Sequence, residues 1–251
     1  MTVVTHLPAW LFNDYSRLFN RFGEQLFTLR EAGSILLRSS STLLVVISQL
    51  RRRGYLTVFG RSGRTRLYRL MSPEDALYAY EFLKNLNRIG SQQFVPAIVK
   101  TAKLLSRSYK ERLISVCVYG SVARGSAGET SDVDMLVVID GLRGSVGKRL
   151  EDLYEAIAQI ESERRFLYRN SVYTDLSFFP LSPDEAYRFL PIYLDIIDGG
   201  AIVFDKGRFL EKIFSKCRSL IARSGVEKVT TRHGWFWRLN PAMPIGEEIA
   251  V

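Results

Sequence analysis

The sequence predicts an α+β protein with more than one compact part, and three observations support this prediction. The chain has 251 residues, of which 47% are apolar, and this is enough for one large core or for two to three small ones. Segments with apolar residues at helical spacing alternate with short segments of apolar, β-branched residues. Basic charge is concentrated near the N-terminus, because residues 1–70 hold 11 basic and 3 acidic side chains while the whole chain carries +9.

The first 70 residues show the pattern of three helices followed by a β-hairpin. Aromatic and apolar residues at helical spacing predict a helix within 9–27, and a second short helix follows over 28–37. Serines 39–41 offer N-caps for a third helix that runs to Arg53 and ends at Gly54. The segments YLTVF and TRLYRL, separated by GRSG, predict two strands joined by a glycine-containing turn.

This N-terminal pattern resembles a winged helix-turn-helix domain over about residues 9–70. The resemblance implies binding of DNA or RNA, and the absence of acids from residues 51–69 favours a polyanion partner. Leu44 and Val45 on the outward face of the third helix are poor readers of base edges. The pattern therefore leaves three alternatives: nucleic-acid binding with little sequence preference, a homodimer or protein contact through the apolar patch, or a solvated basic face without a partner. The arginines expected to contact phosphates are Arg52, Arg61, Arg64 and Arg66.

The rest of the chain alternates predicted helices with buried strands. A helix over 73–89 begins with Pro73 at its first position and connects the N-terminal part to the later segments. The predicted strands are 113–120, 134–140, 171–179 and 201–204, the predicted helices are 92–108, 148–162, 183–198 and 206–223, and a terminal hairpin is predicted from VEKVTT and GWFWRL. The predicted domains are a winged-helix domain (1–72), a connecting helix (73–91), a catalytic domain (92–204) and a C-terminal extension (205–251).

Residues 120–134, GSVARGSAGETSDVD, combine a loop of small residues with a pair of nearby acids. Gly120 allows close approach of a ligand, and the free backbone N–H groups of a helix start here would attract a phosphate. Ser121 can donate its hydroxyl, and Arg124 adds a permanent cation whose fork suits phosphate oxygens. The loop is therefore predicted to bind the phosphates of a ligand.

Asp132 and Asp134 start the next predicted strand and lie on the same face of it. Two carboxylates so close repel each other unless a cation lies between them, and Mg²⁺ with its preference for oxygen ligands is the natural cation. Asp175 is the candidate third carboxylate, because a lone charge in the middle of the apolar segment VYTDLSFF would be costly. Three carboxylates would suit a pair of ions about 3.5–4 Å apart.

This combination resembles the DNA polymerase β-type nucleotidyltransferases, and most of all the minimal nucleotidyltransferases of prokaryotes. The match consists of Gly120-Ser121, ten intervening residues, Asp132-x-Asp134 and a later Asp175, and it covers about residues 92–204. The resemblance implies a small mixed sheet flanked by helices. It also implies that Asp132 and Asp134 bind two Mg²⁺ ions, that Asp175 binds one of them and activates the acceptor, and that Gly120, Ser121 and Arg124 hold the NTP phosphates.

The expected function is Mg²⁺-dependent transfer of a nucleoside monophosphate from an NTP to an acceptor hydroxyl. The alternative is a non-catalytic DNA-binding regulator, or an antitoxin-like protein, in which the nucleotidyltransferase fold only senses nucleotide. No run of about 18 or more apolar residues and no signal peptide is found, so we expect a cytoplasmic protein that does not span a membrane. Cys117 and Cys217 form no CxxC motif, and Cys117 is expected in the core.

Overall fold

The structure, a computed structural model, describes residues 7–232, 234–239 and 245–249. The chain divides into two compact units. The N-terminal unit comprises Met1–Lys84 and Gln92–Lys103, and the C-terminal unit comprises Asn85–Ser91 and Leu104–Val251. The mixture of helices and small sheets confirms the predicted α+β class.

The N-terminal unit combines helices with a three-stranded antiparallel sheet. The helices are α1 (Ala9–Phe22), α2 (Leu29–Leu36), α3 (Ser40–Arg52) and α4 (Pro73–Phe82), followed by the first part of α5 (Val95–Tyr109). The strands β1 (Leu26–Thr28), β2 (Leu56–Ser62) and β3 (Thr65–Leu70) are arranged in the order β1-β3-β2. Among the described residues no single helix is long and apolar enough to cross a membrane. The pair α2 and α3, bent by 109° where they meet, passes that test only when taken together.

Local sequence signals account for the helix ends in this unit. The hydroxyl of Thr28 accepts the Glu31 N–H and the Glu31 carboxylate accepts the Thr28 N–H, which forms a capping box at the start of α2. The predicted first helix ends earlier than residue 27, because Gly23 has a φ of +55° and residues 26–28 pair with β3 instead. The three-residue strand β1 carried too short a pattern to be predicted.

The C-terminal unit is organised around a four-stranded mixed sheet in the order β6-β5-β4-β7. Its strands are β4 (Leu113–Tyr119), β5 (Val133–Ile139), β6 (Leu176–Leu181) and β7 (Ala201–Asp205). β4 pairs antiparallel with β5 and with β7, whereas β6 runs parallel to β5. Cys117 in the central strand β4 is fully buried, as the sequence predicted, and burial raises the pKa of its thiol.

Helices and a second hairpin complete this unit. The helices are α6 (Gly120–Arg124), α7 (Val146–Ala156), α8 (Glu161–Arg169), α9 (Pro183–Ala186), α10 (Ile192–Gly199) and α11 (Phe209–Ser224). Tyr193 of α10 and Phe214 of α11 are buried and pack edge to face with their centroids 5.2 Å apart. The strands β8 (Glu227–Thr231) and β9 (Gly234–Arg238) pair as the predicted terminal hairpin.

Four predicted elements of the later chain differ from the structure. The helix predicted over 73–89 ends at Phe82, because the backbone is already extended at Leu83 and becomes left-handed at Asn85 with φ +58°. The run 148–162 is divided between α7 and α8 by a short 3₁₀ turn, and 183–198 is interrupted before Pro191, whose ring cannot continue a helix. The strand predicted over 171–179 begins only at Leu176, since the Tyr173 N–H donates to the Glu129 carbonyl at 2.7 Å instead of to a strand.

Candidate functional site

The turn between β4 and α6 brings the backbone against a carboxylate. Gly120 has a φ of +72°, and a Cβ built on it would lie 2.1 Å from Oδ2 of Asp134. Only glycine therefore lets the chain pass Asp134 at this distance. Ser121 follows Gly120 in the first turn of α6.

Backbone hydrogen bonds hold α6 in place, although five residues are too few for a stable isolated helix. The N–H of Gly90 donates to the Ala123 carbonyl at 2.9 Å, and the N–H of Ser91 donates to the Val122 carbonyl at 3.1 Å. Val122 and Ala123 are themselves buried. The short helix α6, which carries Ser121 and Arg124, is thus anchored to the unit's interior.

Parallel pairing of β5 with β6 brings all three predicted aspartates to one edge of the sheet. Asp132 immediately precedes β5 and Asp175 immediately precedes β6, while Asp134 lies opposite Tyr119 of β4. The Asp175 N–H donates to Asp132 Oδ1 at 3.1 Å, and the Val133 N–H donates to the Asp175 carbonyl at 2.9 Å. Asp132 and Asp175 are therefore direct neighbours across 43 residues of chain.

Asp134 experiences the electrostatic repulsion that the sequence predicts. Its half-buried position raises the pKa of its carboxyl group above the usual value, and the negative charge of Asp132 raises it further. The guanidinium of Arg124 acts in the opposite direction and lowers this pKa. The carboxylate is thus poised to gain from a nearby cation.

The aliphatic stem of Arg124 packs against α10, and its guanidinium acts on the Asp134 carboxylate. A Cβ on Gly199 would lie 2.7 Å from Cγ of Arg124, so this glycine leaves the space that the stem occupies. The structure thus brings together Gly120, Ser121, Arg124, Asp132 and Asp134 around one turn.

Asp175 differs from its predicted environment. It lies before β6 rather than in the middle of a strand, and its side chain is 66% exposed. The prediction that Asp175 is a lone charge within an apolar strand is therefore wrong. Its carboxylate forms an ion pair with Arg164, which also contacts Glu161 at 3.2 Å. Arg164 was not predicted, because the helix predicted over 148–162 ended before it.

The three aspartates do not form a ready three-ligand metal site. Within the described residues no group of three or more His, Cys, Asp or Glu side chains is arranged to hold a metal ion. The repulsion between Asp132 and Asp134 fits a cation bound between them. Asp175 would have to leave Arg164 before it could join them as a ligand.

A cleft of about 430 Å³ opens beside Asp175. The Tyr154 hydroxyl at one wall donates to the Leu176 carbonyl at 2.9 Å, and its ring packs edge to face on Phe178. The charges of Asp175 and Asp132 add to the effect of burial in raising the pKa of Tyr154. The cleft is lined by Tyr154, Ile157, Ala158, Ile160, Glu161, Arg164, Asp175 and Leu176.

The N-terminal unit contains a separate basic groove of about 760 Å³ between α2, α3 and the hairpin of β2 and β3. Arg61 and Arg66 lie directly opposite each other in the hairpin, although like charges in such a pair repel. Among the described residues Arg30, Arg61, Arg64 and Arg66 form no ion pair, whereas Arg38 contacts Asp14 at 3.1 Å. The arginines that line the basic groove are Arg30, Arg38, Arg61, Arg64 and Arg66.

The arginines of residues 51–69 differ in their accessibility. Arg64 occupies the turn, while Arg61 and Arg66 lie within the strands, so only one of the three is at the hairpin tip. Arg69 is buried and its Nε donates to the Glu24 carbonyl at 2.9 Å, so it is not available to a polyanion. Arg52 is exposed at the end of α3 and does not line the basic groove. Arg30, which lies outside residues 51–69, lines the basic groove although it was not predicted to do so.

The comparisons with known proteins match a family model, which lies mainly in the C-terminal unit, and several similar proteins. The family model of the nucleotidyltransferase domain matches residues 98–188. The chain is similar to a putative protein adenylyltransferase of Methanocaldococcus jannaschii, with 30% identity over 119 residues that cover 47% of this chain and 76% of the relative. It is also similar to a solved toxin-antitoxin with AMP-PNP, with 16% identity, coverage of 49% of this chain and 88% of that one, and a TM-score of 0.32. A mutant of the toxin-antitoxin MntA-HpeT matches with 15% identity, coverage of 49% and 87%, and a TM-score of 0.30.

Proposed function

Because this chain belongs to the family of nucleotidyltransferase-domain proteins, we propose that it transfers a nucleoside monophosphate from an NTP to an acceptor hydroxyl. The chain is a nucleotidyltransferase, and the donor, the acceptor and the role of each residue are our proposals. One observation carries them: Asp132, Asp134 and Asp175 meet at the sheet edge where Gly120 passes against Asp134. Residues 92–204 are the proposed nucleotidyltransferase domain.

The residues of this edge have complementary roles in the proposal. Gly120 and Ser121 approach the β- and γ-phosphates, and Arg124 pairs with the triphosphate through its guanidinium fork. Asp132 and Asp134 would hold two Mg²⁺ ions, with Asp175 as the third ligand once it has left Arg164. The bound ions would neutralise the charge of the transferred group and of pyrophosphate. Asp175 lies beside the cleft and would accept the proton of the acceptor hydroxyl.

The name of the Methanocaldococcus jannaschii relative supports a specific choice of donor and acceptor. Its name, putative protein adenylyltransferase, supports ATP as the donor and a protein hydroxyl as the acceptor. Under this proposal the α-phosphorus of ATP forms a bond to the acceptor oxygen. Its bond to the bridging oxygen breaks, and pyrophosphate leaves with the electron pair.

The test uses α-labelled ATP, Mg²⁺ and mixtures of protein, RNA or small-molecule acceptors. We expect the wild type to label an acceptor and release pyrophosphate, and Asp132→Ala/Asp134→Ala to lose at least about 100-fold in rate, the scale for removing one electrostatic contact to a transition state. Asp140→Asn is the matched control, because Asp140 is exposed at the opposite end of β5. Equal rates in the wild type and the double variant, without detectable binding of Mg·ATP, would refute the proposal.

A second proposed function is nucleic-acid binding by the N-terminal unit as a winged-helix domain, predicted over residues 1–72. It is supported by the basic groove, where Arg61 and Arg66 face each other without an acidic partner among the described residues. A phosphate between them would relieve their repulsion. Arg64 in the turn and Arg52 at the end of α3 would extend the contact along a nucleic-acid backbone.

The salt dependence of DNA binding tests this second proposal. Replacing Arg61, Arg64 and Arg66 by Gln should reduce the slope of log K against log salt by about 2–3, since each phosphate contact contributes about 0.9. Arg143→Gln is the control, because Arg143 is exposed in a loop of the C-terminal unit. An unchanged slope in the triple variant would exclude the groove. Intact DNA binding together with zero nucleotidyl transfer would favour the alternative of a non-catalytic regulator.

The exposed apolar residues of the same unit keep the dimer alternative testable. Leu44 and Val45 of α3 are 54% and 51% exposed. The oligomeric state of the wild type and of Leu44→Ser/Val45→Ser, measured by sedimentation, would distinguish a homodimer contact from nucleic-acid binding at this face. Dissociation of a dimer in the variant would support a homodimer contact.

A further inference from the structure

We propose that the acceptor is an acidic polypeptide segment, which docks on α8 and inserts its hydroxyl side chain into the cleft beside Asp175. This inference rests on the proposed nucleotidyl transfer and adds the substrate class and the surface that binds it. We name this surface the α8 surface and define it as Arg165, Tyr168, Arg169 and Tyr173.

The α8 surface exposes side chains of the kinds that protein interfaces favour. Tyr168 and Tyr173 are 65% and 47% exposed and pack edge to face with their centroids 5.0 Å apart. Arg165 contacts Glu161 at 3.2 Å and is still 69% exposed, and Arg169 forms no ion pair among the described residues. Tyrosine and arginine are enriched at the residues that dominate binding energy. The positive charge makes an acidic segment the complementary partner.

The α8 surface is continuous with the cleft beside Asp175. A depression of about 300 Å³ on α8 is lined by Arg165, Tyr168 and Arg169 together with Glu161 and Arg164. Glu161 and Arg164 also line the cleft of about 430 Å³ beside Asp175. A segment that lies along α8 therefore leads directly to the carboxylate that would accept its proton.

Arg164 links docking of the acceptor to the release of Asp175 from its ion pair. Its guanidinium now pairs with Asp175 and with Glu161. An acidic side chain of the bound segment would compete for this guanidinium and release the Asp175 carboxylate. Docking of the acceptor would thus free the group that the proposed reaction needs.

The cleft favours a polypeptide over a nucleic-acid strand. One wall consists of the apolar side chains of Ile157, Ala158 and Ile160, which suits a single inserted side chain. The rings of Tyr168 and Tyr173 are inclined by 86°, so they do not offer parallel platforms for successive bases.

The proposed step balances without an additional reactant. The acceptor oxygen forms a bond to the α-phosphorus of ATP, and the bond between that phosphorus and the bridging oxygen breaks. Pyrophosphate leaves with the electron pair, and the hydroxyl proton passes to the Asp175 carboxylate and then to water.

The test compares short synthetic peptides in which a Ser, Thr or Tyr is flanked by glutamates with matched peptides flanked by lysines. With labelled ATP and Mg²⁺, we expect the wild type to label the glutamate peptides at least about 10-fold more efficiently, equivalent to about 1.4 kcal/mol of discrimination. Arg165→Glu/Arg169→Glu should raise the KM for the glutamate peptides by a similar factor or reverse the preference. Arg143→Glu is the control for a charge change at an exposed loop.

A second variant and a binding measurement separate this inference from the proposed function. Tyr168→Ala should weaken peptide labelling without a change of charge, and thermal denaturation will show whether each variant is folded. Equal labelling of peptides by the wild type and the Arg165/Arg169 variant would overturn the docking site, as would labelling of an RNA oligonucleotide in preference to the peptides. If the wild type binds no Mg·ATP in calorimetry and releases no pyrophosphate, the proposed function itself fails and this inference fails with it.

Discussion

At the scale of single residues, Asp134 shows why the sheet edge that carries Asp132, Asp134 and Asp175 favours a bound cation. Burial is the main cause of its raised pKa, and repulsion from Asp132 adds to it while Arg124 opposes it. The folded protein consequently binds a proton at Asp134 more tightly than the unfolded chain does. Its stability therefore falls as the pH rises from the ordinary pKa of 3.8 to the raised value, and it stays at the lower level above that range.

Asp134→Asn should separate stability from activity. The variant removes a charge that the folded state holds unfavourably, so at neutral pH its Tm should equal or exceed that of the wild type. The difference in Tm should vanish in acid below about pH 3, well under the ordinary pKa of 3.8, where the wild-type carboxyl is mainly protonated in both states. Nucleotidyl transfer should fall by at least about 100-fold. Thermal denaturation at both pH values and the labelling assay measure this, and a large loss of Tm at neutral pH would contradict it.

At the scale of elements, the turn between β4 and α6 depends on a residue without a Cβ. Gly120 combines a left-handed backbone with close approach to Asp134, whereas Gly128, in the loop between α6 and β5, has no neighbour closer than 4.0 Å to a built Cβ. These two glycines therefore distinguish a conformational requirement from mere loop flexibility.

Gly120→Ala should destabilise the protein by about 1–3 kcal/mol, the range for a strained backbone position. It should also lower transfer activity, because the new methyl group must push the Asp134 carboxylate away. Gly128→Ala should leave both quantities near their wild-type values. Chemical denaturation and the labelling assay measure the two effects, and equal behaviour of both variants would argue against this account of the turn.

Local signals predicted many elements but not the interruptions between them. Pro73 at the start of α4, Ser39 at the cap of α3 and the apolar runs of β4 and β5 are found as the sequence predicted. The breaks between α7 and α8 and before α10 were missed, because an amphipathic period continues across a short turn. The predicted helix ended at residue 162, whereas α8 continues to Arg169, and this is why Arg164 was absent from the predicted site.

At the scale of the whole molecule, the division into two compact units predicts separable responses to ligands. Each unit has its own sheet and its own buried residues. The proposed nucleotide site lies in the C-terminal unit, and the basic groove lies in the N-terminal unit. A ligand that binds one folded unit stabilises that unit by mass action.

Calorimetry of the full chain should show two unfolding transitions. Mg·ATP at about 100 times its Kd should stabilise one transition by about 2.7 kcal/mol, a rise in Tm of about 5–10 °C for a domain of this size. Asp132→Ala/Asp134→Ala should abolish this rise. Duplex DNA should raise the Tm of the other transition, which we assign to the N-terminal unit. Arg61→Gln/Arg64→Gln/Arg66→Gln should abolish that rise. A single transition that both ligands raise together would contradict independent units.

The sequence by itself determined the parts of the site that are close together along the chain. The interval from Ser121 to Asp132 and the pair Asp132 and Asp134 depend on one turn and one strand, whose patterns are local. The excess of basic charge in the first 70 residues was likewise a property of the sequence alone.

Only the tertiary structure decided which distant residues join these local parts. The parallel register of β5 and β6 places Asp175 beside Asp132, and α8 then brings Arg164 to the same carboxylate. Folding also buries Arg69 and adds Arg30 to the basic groove. The physical reason is that strand register and helix packing depend on burial summed over the whole core, and no short window of sequence contains that sum.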